Sequence, residues 1–194
     1  MEANSSLRVA IEKAREVNMP KENIERLIAG FEKRKANLKE YVYEGYGPFG
    51  VPVVVEVETD NKNRTLSEIK LMFKTNDGNL GDEGSVMYQF EKKGEIELEE
   101  LIDEERMLEL IDMGAEDIDG QTVTVSNDGF KDMAAKIKTK GWEIVRAETV
   151  LKSRTPIILE TDDQVGKMID FIEELEESDD VLNVYAGFDY EQTT

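Results

Sequence analysis

The sequence predicts an α+β protein, on three observations. The hydrophobic period changes from helical to strand-like near Tyr41, short strands and helices alternate from there to the C-terminus, and residues 94–149 run in the order β-α-β-β-α-β. With 194 residues, 39% of them hydrophobic and 35% charged, the chain can bury a real core and is too apolar to be disordered throughout.

The opening segment reads as two helices. Leu7, Ala10, Ile11 and Ala14 recur at three and four residues and mark one apolar stripe. Asn18, Met19 and Pro20 break it, and Pro20 suits the first turn of a second helix with the stripe Ile24, Leu27, Ile28 and Phe31. From Tyr41, "EYVYEGYG" and "VPVVVEVET" read as antiparallel strands joined by a glycine-rich turn. "TDNKNR" reads as the loop that closes the second strand. "TLSE" then starts a helix, with Thr65 and Glu68 as a capping box and Ile69, Met72 and Phe73 as its apolar face. "TNDGNLGDEG" reads as a loop and "SVMYQFEKKG" as a further strand.

In the next stretch "EIELEE" is a strand, Leu101 to Met113 a helix stopping near Gly114, and "AEDID" with "QTVTVS" a strand pair turning at Asp119 and Gly120. Asp128 to Lys140 is a helix stopping at Gly141, and "WEIVRAETV" a strand. This order is the split ferredoxin-like pattern. "TPIILE", a helix capped by Thr161 and Gln164, and "VLNVYAG" follow it; the helix and the strand after residue 160 have no partners of their own, so they are expected to rejoin the first sheet. The expected division is a helical domain over 1–40, an α/β domain over 41–93 plus 150–194, and a second α/β domain inserted over 94–149.

The net charge of -20 is unevenly spread. Residues 1–40 carry nine Lys or Arg against seven acids, residues 91–119 three against thirteen, and residues 160–194 one against twelve. Two acidic blocks therefore account for the total, and other faces are near neutral. Cysteine and histidine are absent, which removes thiolate nucleophiles, the usual zinc ligands and the commonest general base. No enzyme activity, cofactor or metal is expected. No apolar run approaches the roughly 20 residues of a membrane span, and the N-terminus has no signal-peptide pattern, so a cytoplasmic protein without membrane partners is expected.

Five blocks, "LRVAIEKAREVNMPKENIERLI", "YEGYGPFGV", "TDNKNRT", "GNLGDEGSVMYQFEKKG" and "DDVLNVYAG", resemble in order and spacing the YebC/PmpR family, related to the mitochondrial translational activator of cytochrome oxidase subunit I. The resemblance implies a short N-terminal helical domain followed by two ferredoxin-like α/β domains, one inserted in the other. It also implies a non-enzymatic regulator of gene expression, in one of two forms. One is a ribosome-associated translation factor that relieves stalling at difficult stretches such as polyproline, with ribosomal RNA or tRNA as partners. The other is a DNA-binding transcriptional regulator. Family chains usually begin with a further basic stretch, and this sequence opens directly on the block that follows it. Smaller departures are Phe49, where the family often has a small residue, Asp77, where it often has Gly, and Ala29, where a basic residue is common.

Three groups of residues are candidates for contact with RNA or the ribosome. In "YEGYGPFGV" the glycines and Pro48 suit a turn whose aromatic rings cover a seam, or alternatively a rigid mount for an exposed Tyr46 or Phe49 that stacks on bases. In "TDNKNRT", Lys62 and Arg64 suit phosphates, and Asn61 and Asn63 suit sugar or base edges. The competing role is a loop whose Asn side chains bond their own backbone. Lys33, Arg34 and Lys35 form a basic patch of ordinary size, as do Lys131, Lys136, Lys138 and Lys140, and a solvated face is the favoured role for either. "GNLGDEGS" lacks the Lys-Ser or Lys-Thr ending of a phosphate-binding loop and precedes a strand, so no nucleotide site is expected there. Duplex DNA binding rests on phosphate neutralisation, which an acidic chain without a basic stripe does poorly; this favours the ribosome over DNA as partner.

Overall fold

The computed structural model describes residues 37–190. The expected N-terminal helices, and Lys33, Arg34 and Lys35 with them, lie outside the described residues.

The fold is α+β, with two four-stranded sheets. Strands β1 (Lys39–Tyr46), β2 (Pro52–Thr59), β3 (Asn79–Leu80) and β9 (Val181–Ala186) form the first, in the order β3-β1-β2-β9 with every neighbouring pair antiparallel. "VPVVVEVET" explains its centre. A strand apolar at almost every position is covered on both faces, and Val53, Val54, Val55 and Val57 are all fully buried. On one face Tyr43, Val53, Val55 and Val57 pack against helices α1 (Lys62–Thr75) and α4 (Asp162–Glu176), through Ile69, Phe73, Met168, Phe171 and Leu175. Phe73 and Phe171 meet edge to face, with ring centroids 5.0 Å apart. On the other face Val54 packs with Val86 and Phe90, joined by Tyr46, Leu151 and Tyr185.

The second sheet runs β5 (Asp117–Asp119), β6 (Thr122–Ser126), β4 (Phe90–Leu98), β7 (Ile144–Ser153), again antiparallel throughout. With α2 (Glu104–Met113) and α3 (Phe130–Thr139) it follows the β-α-β-β-α-β order read from the sequence. Its core is Ile96, Leu98, Leu110, Val123, Val125, Met133 and Ile137. β4 and β7 are long enough to serve both sheets: Phe90 at one end belongs to the seam cluster, and Ile96 and Leu98 at the other to this core. Gly94 and Thr149, the outermost residues of the expected insertion, pair with each other across the ribbon.

Several local expectations are corrected. The helix after β2 begins at Lys62 rather than Thr65, because Asn61 caps it by accepting a hydrogen bond from Arg64 N. "TNDGNLGDEG" contains the short strand β3. "SVMYQF" holds a 3-10 turn, Met87–Gln89, before β4 starts at Phe90. The helices expected from Leu101 and Asp128 begin at Glu104 and Phe130. β8 (Ile157–Leu159) pairs in parallel with β10 (Phe188–Tyr190), a strand the period did not indicate. The C-terminal expectation holds: Thr161 caps α4 through Gln164 N, and β9 joins β2.

Candidate functional site

The glycine-rich stretch is a turn between β1 and β2, built on a 3-10 segment over Pro48–Gly50. Gly45 and Gly47 are glycines because the chain is crowded there. A Cβ on Gly45 would lie 2.7 Å from Asn79 O, and one on Gly47 2.8 Å from the Phe171 ring. The three aromatic residues go to different places. Tyr43 is buried under α1 and donates its hydroxyl to Lys62 O at 3.2 Å. Tyr46 is half-buried in the seam, where its hydroxyl accepts from Gln89 Nε2 at 3.1 Å. Phe49 remains exposed, with φ at 60°. The expectation of an exposed ring is thus met by Phe49 and not by Tyr46.

Phe49 and Asp77, two of the departures from the family pattern, are the non-glycine residues with positive φ among the described residues. Asp77 lies just past the end of α1, where Gly78 N–H bonds back to Phe73 O at 2.7 Å in the manner of a Schellman cap. Both residues line one cleft of about 360 Å³, with Pro48, Asn76, Lys167 and Asp170.

The "DGNLGDEGS" loop cradles an anion after all, and the anion belongs to the chain itself. The Glu44 carboxylate, 4% exposed, accepts from Gly84 N at 2.7 Å, Val86 N at 2.9 Å and Met87 N at 2.7 Å. Burial pushes its pKa up, and the three amide bonds more than offset that, so the carboxyl is held below its usual range. This bond set fixes the 3-10 turn that carries Tyr88, an aromatic residue 68% exposed whose phenol is pushed up chiefly by the neighbouring Tyr46 hydroxyl. Sequence reasoning missed Tyr88 because "SVMYQF" alternates like a strand; the glycines ahead of it were the available signal of a turn.

The "DNKNR" residues are brought together at the start of α1, and two of them are committed. Asn61 is the cap. Arg64 forks onto Asp180, at 2.9 and 3.2 Å, and reaches Asp60 at 3.3 Å. Asp180 also accepts from the Thr65 hydroxyl at 2.5 Å. Burial raises the Asp180 pKa, and the hydroxyl and guanidinium donors outweigh it to leave the carboxyl low. Lys62 and Asn63 stay exposed, Lys62 with its ammonium 5.0 Å above the Tyr41 ring.

The open face of the second sheet is a lattice of ion pairs. Lys152 meets Glu95 at 2.5 Å, Lys93 meets Glu91 and Glu116 at 2.8 and 2.7 Å, and Arg146 lies between Glu97 and Glu148. Sheets of this topology that read RNA stack bases on aromatic residues at the centre of that face, and here glutamate and lysine occupy it. On α3 Lys136 pairs with Asp132, and just past its end Lys140 pairs with Glu109. No group of three or more carboxylates among the described residues is placed to hold a metal, and no described helix is long and apolar enough to cross a membrane.

These features define a class: an α+β protein of two four-stranded sheets whose exposed aromatic rings are mounted on turns and whose cations are mostly paired with its own more numerous acids. Residues 38–188 match the family model described as the TACO1/YebC second and third domain, and the chain belongs to the TACO1/YebC family. It is 43% identical over 197 residues to a "Probable transcriptional regulatory protein" of Dictyoglomus turgidum, covering 97% of this chain and 79% of that one. A protein of the same description from Treponema pallidum is 43% identical over 196 residues, covering 97% and 80%. Among solved structures, a conserved hypothetical protein from Aquifex aeolicus is similar with a TM-score of 0.72 at 38% identity, covering 98% of this chain and 82% of that one.

Proposed function

We propose that the chain is a non-enzymatic regulator of gene expression that works at the ribosome, on ribosomal RNA or tRNA, easing translation through difficult stretches such as polyproline. The observation that carries this reading is electrostatic. Residues 37–190 hold 16 Lys or Arg against 37 Asp or Glu. More than half of those cations are in ion pairs with the chain's own acids. A surface of that kind gains little by releasing counterions from a duplex, whereas a few exposed rings and cations held on rigid turns suit local contact with an RNA–protein assembly. Phe49, Tyr88, Lys62 and Asn63 are the contact residues in this reading. The division into an α/β unit of 41–93 plus 150–194 and an inserted unit of 94–149 belongs to the same proposal.

The relatives' description as probable transcriptional regulatory proteins favours a second reading, direct binding of DNA. Co-sedimentation with ribosomes at rising salt, beside a duplex DNA retention assay, separates the two. Ribosome binding that weakens in the Phe49→Ala, Tyr88→Ala double variant, with unfolding unchanged, is the expected result. Retention of duplex DNA without ribosome binding would overturn it.

A further inference from the structure

One edge of the first sheet is only partly used. β3 pairs with Gly45 and Tyr46, Gly81 N adds a bond to Glu44 O at 2.8 Å, and the chain then turns away at Asp82. Among the described residues no strand continues this ladder along Lys39 to Tyr43. Antiparallel strands direct the N–H and C=O of alternate residues to the same side. Glu44 O faces β3, so the backbone groups of Val42 and Glu40 face the same open side.

That edge lines a groove of about 810 Å³. Its other walls are Lys62 and Leu66 of α1, Leu80, the Gly81–Gly84 turn and Met87. The turn is held in place by the Glu44 carboxylate, so this wall is formed in advance. The two faces of the edge differ. Tyr41 and Tyr43 point to the α1 side, where Lys62 and Leu66 lie; Glu40, Val42 and Glu44 point to the side of the turn, which adds Asp82 and Glu83. Val42 is 44% exposed.

We propose that this edge receives an extended, basic segment of a partner protein as an added strand opposite Lys39 to Tyr43. Five residues of strand span about 17 Å. Main-chain bonds to Val42 and Glu40 supply affinity, and alternation supplies selectivity. Side chains turned toward α1 meet Tyr41 and Leu66 and are apolar; those between them meet Glu40, Asp82 and Glu83 and are Lys or Arg. A nucleic-acid strand in the same groove would set phosphates against those three acids, so a protein segment is the better occupant. This inference stands independently of the ribosomal reading.

The test uses the full chain and a fluorescent peptide alternating lysine and valine, with two versions N-methylated at every second residue in opposite phases. Glutamate–valine peptide and oligouridine are controls. The lysine–valine peptide should bind and slow hydrogen exchange at the Val42 and Glu40 amides, and one N-methylation phase should weaken it about tenfold or more by removing ladder donors while keeping every side chain. Asp82→Lys with Glu83→Lys should weaken it as well, at unchanged stability. Equal binding of both N-methylated peptides, preferential binding of oligouridine, or full exchange protection of Val42 and Glu40 in the free chain would each overturn the proposal.

Discussion

β2 and β4 are the central strands of their sheets and could hardly be treated more differently. β2 is buried along most of its length, with helices on one face and the seam cluster on the other. β4 alternates, sending Ile96 and Leu98 into the second core and Lys93, Glu95 and Glu97 onto a charged face. The contrast is written in "VPVVVEVET" against "FEKKGEIEL". It teaches that the first sheet is the structural centre, where atoms are replaced at high cost, while the open face of the second is tolerant.

The largest effect expected from that contrast is at Phe171, fully buried against Phe73. Phe171→Ala should lose about 4 kcal/mol in chemical denaturation. A loss under about 1 kcal/mol would mean the helix layer contributes far less than its burial implies.

Next is Glu44→Gln, which keeps one acceptor oxygen but places an amide NH2 against backbone N–H groups, at about 2 kcal/mol. Because the folded state holds the Glu44 carboxyl below its unfolded value, its contribution is complete above the ordinary carboxylate range, near pH 4.3, and is lost as pH falls through the lower folded value. The stability gap between native chain and variant should therefore close on acidification. A gap constant from pH 7 to pH 2 would remove the carboxylate from the explanation.

Asp77→Gly tests the strained cleft. Relief of positive φ should add about 0.5–1 kcal/mol, in spite of glycine's greater freedom when unfolded. The smallest effect belongs to the ion-pair lattice: Lys152→Ala should change stability by no more than about 0.5 kcal/mol, and a larger loss would show that the charged face is structural.

The period and cap residues made most elements legible, including the β-α-β-β-α-β order and the Thr161 cap. What escaped depended on partners far along the chain. Thr65 and Glu68 match a capping box locally, yet Thr65 is drawn inward by Asp180, 115 residues away, and Asn61 caps instead. The glycine loop lacks the ending of a phosphate-binding loop, and nothing local indicates that Glu44, 40 residues upstream of Gly84, fills it. Of the contact candidates, Phe49, Lys62, Asn61, Asn63 and Arg64 are exposed, but Asn61 and Arg64 are tied by hydrogen bonds within the fold, and Tyr46 is half-buried.

In the proposed division, the rung between Gly94 and Thr149 is the port through which the inserted unit leaves and rejoins the first. The chain departs and returns about 5 Å apart, already paired, so the length of what lies beyond adds no closure entropy to the first sheet. If that division holds, any folded unit whose own ends sit one rung apart should be exchangeable there, from a tight turn to a whole reporter domain, leaving the groove beside β1 and the turn carrying Tyr88 where they are.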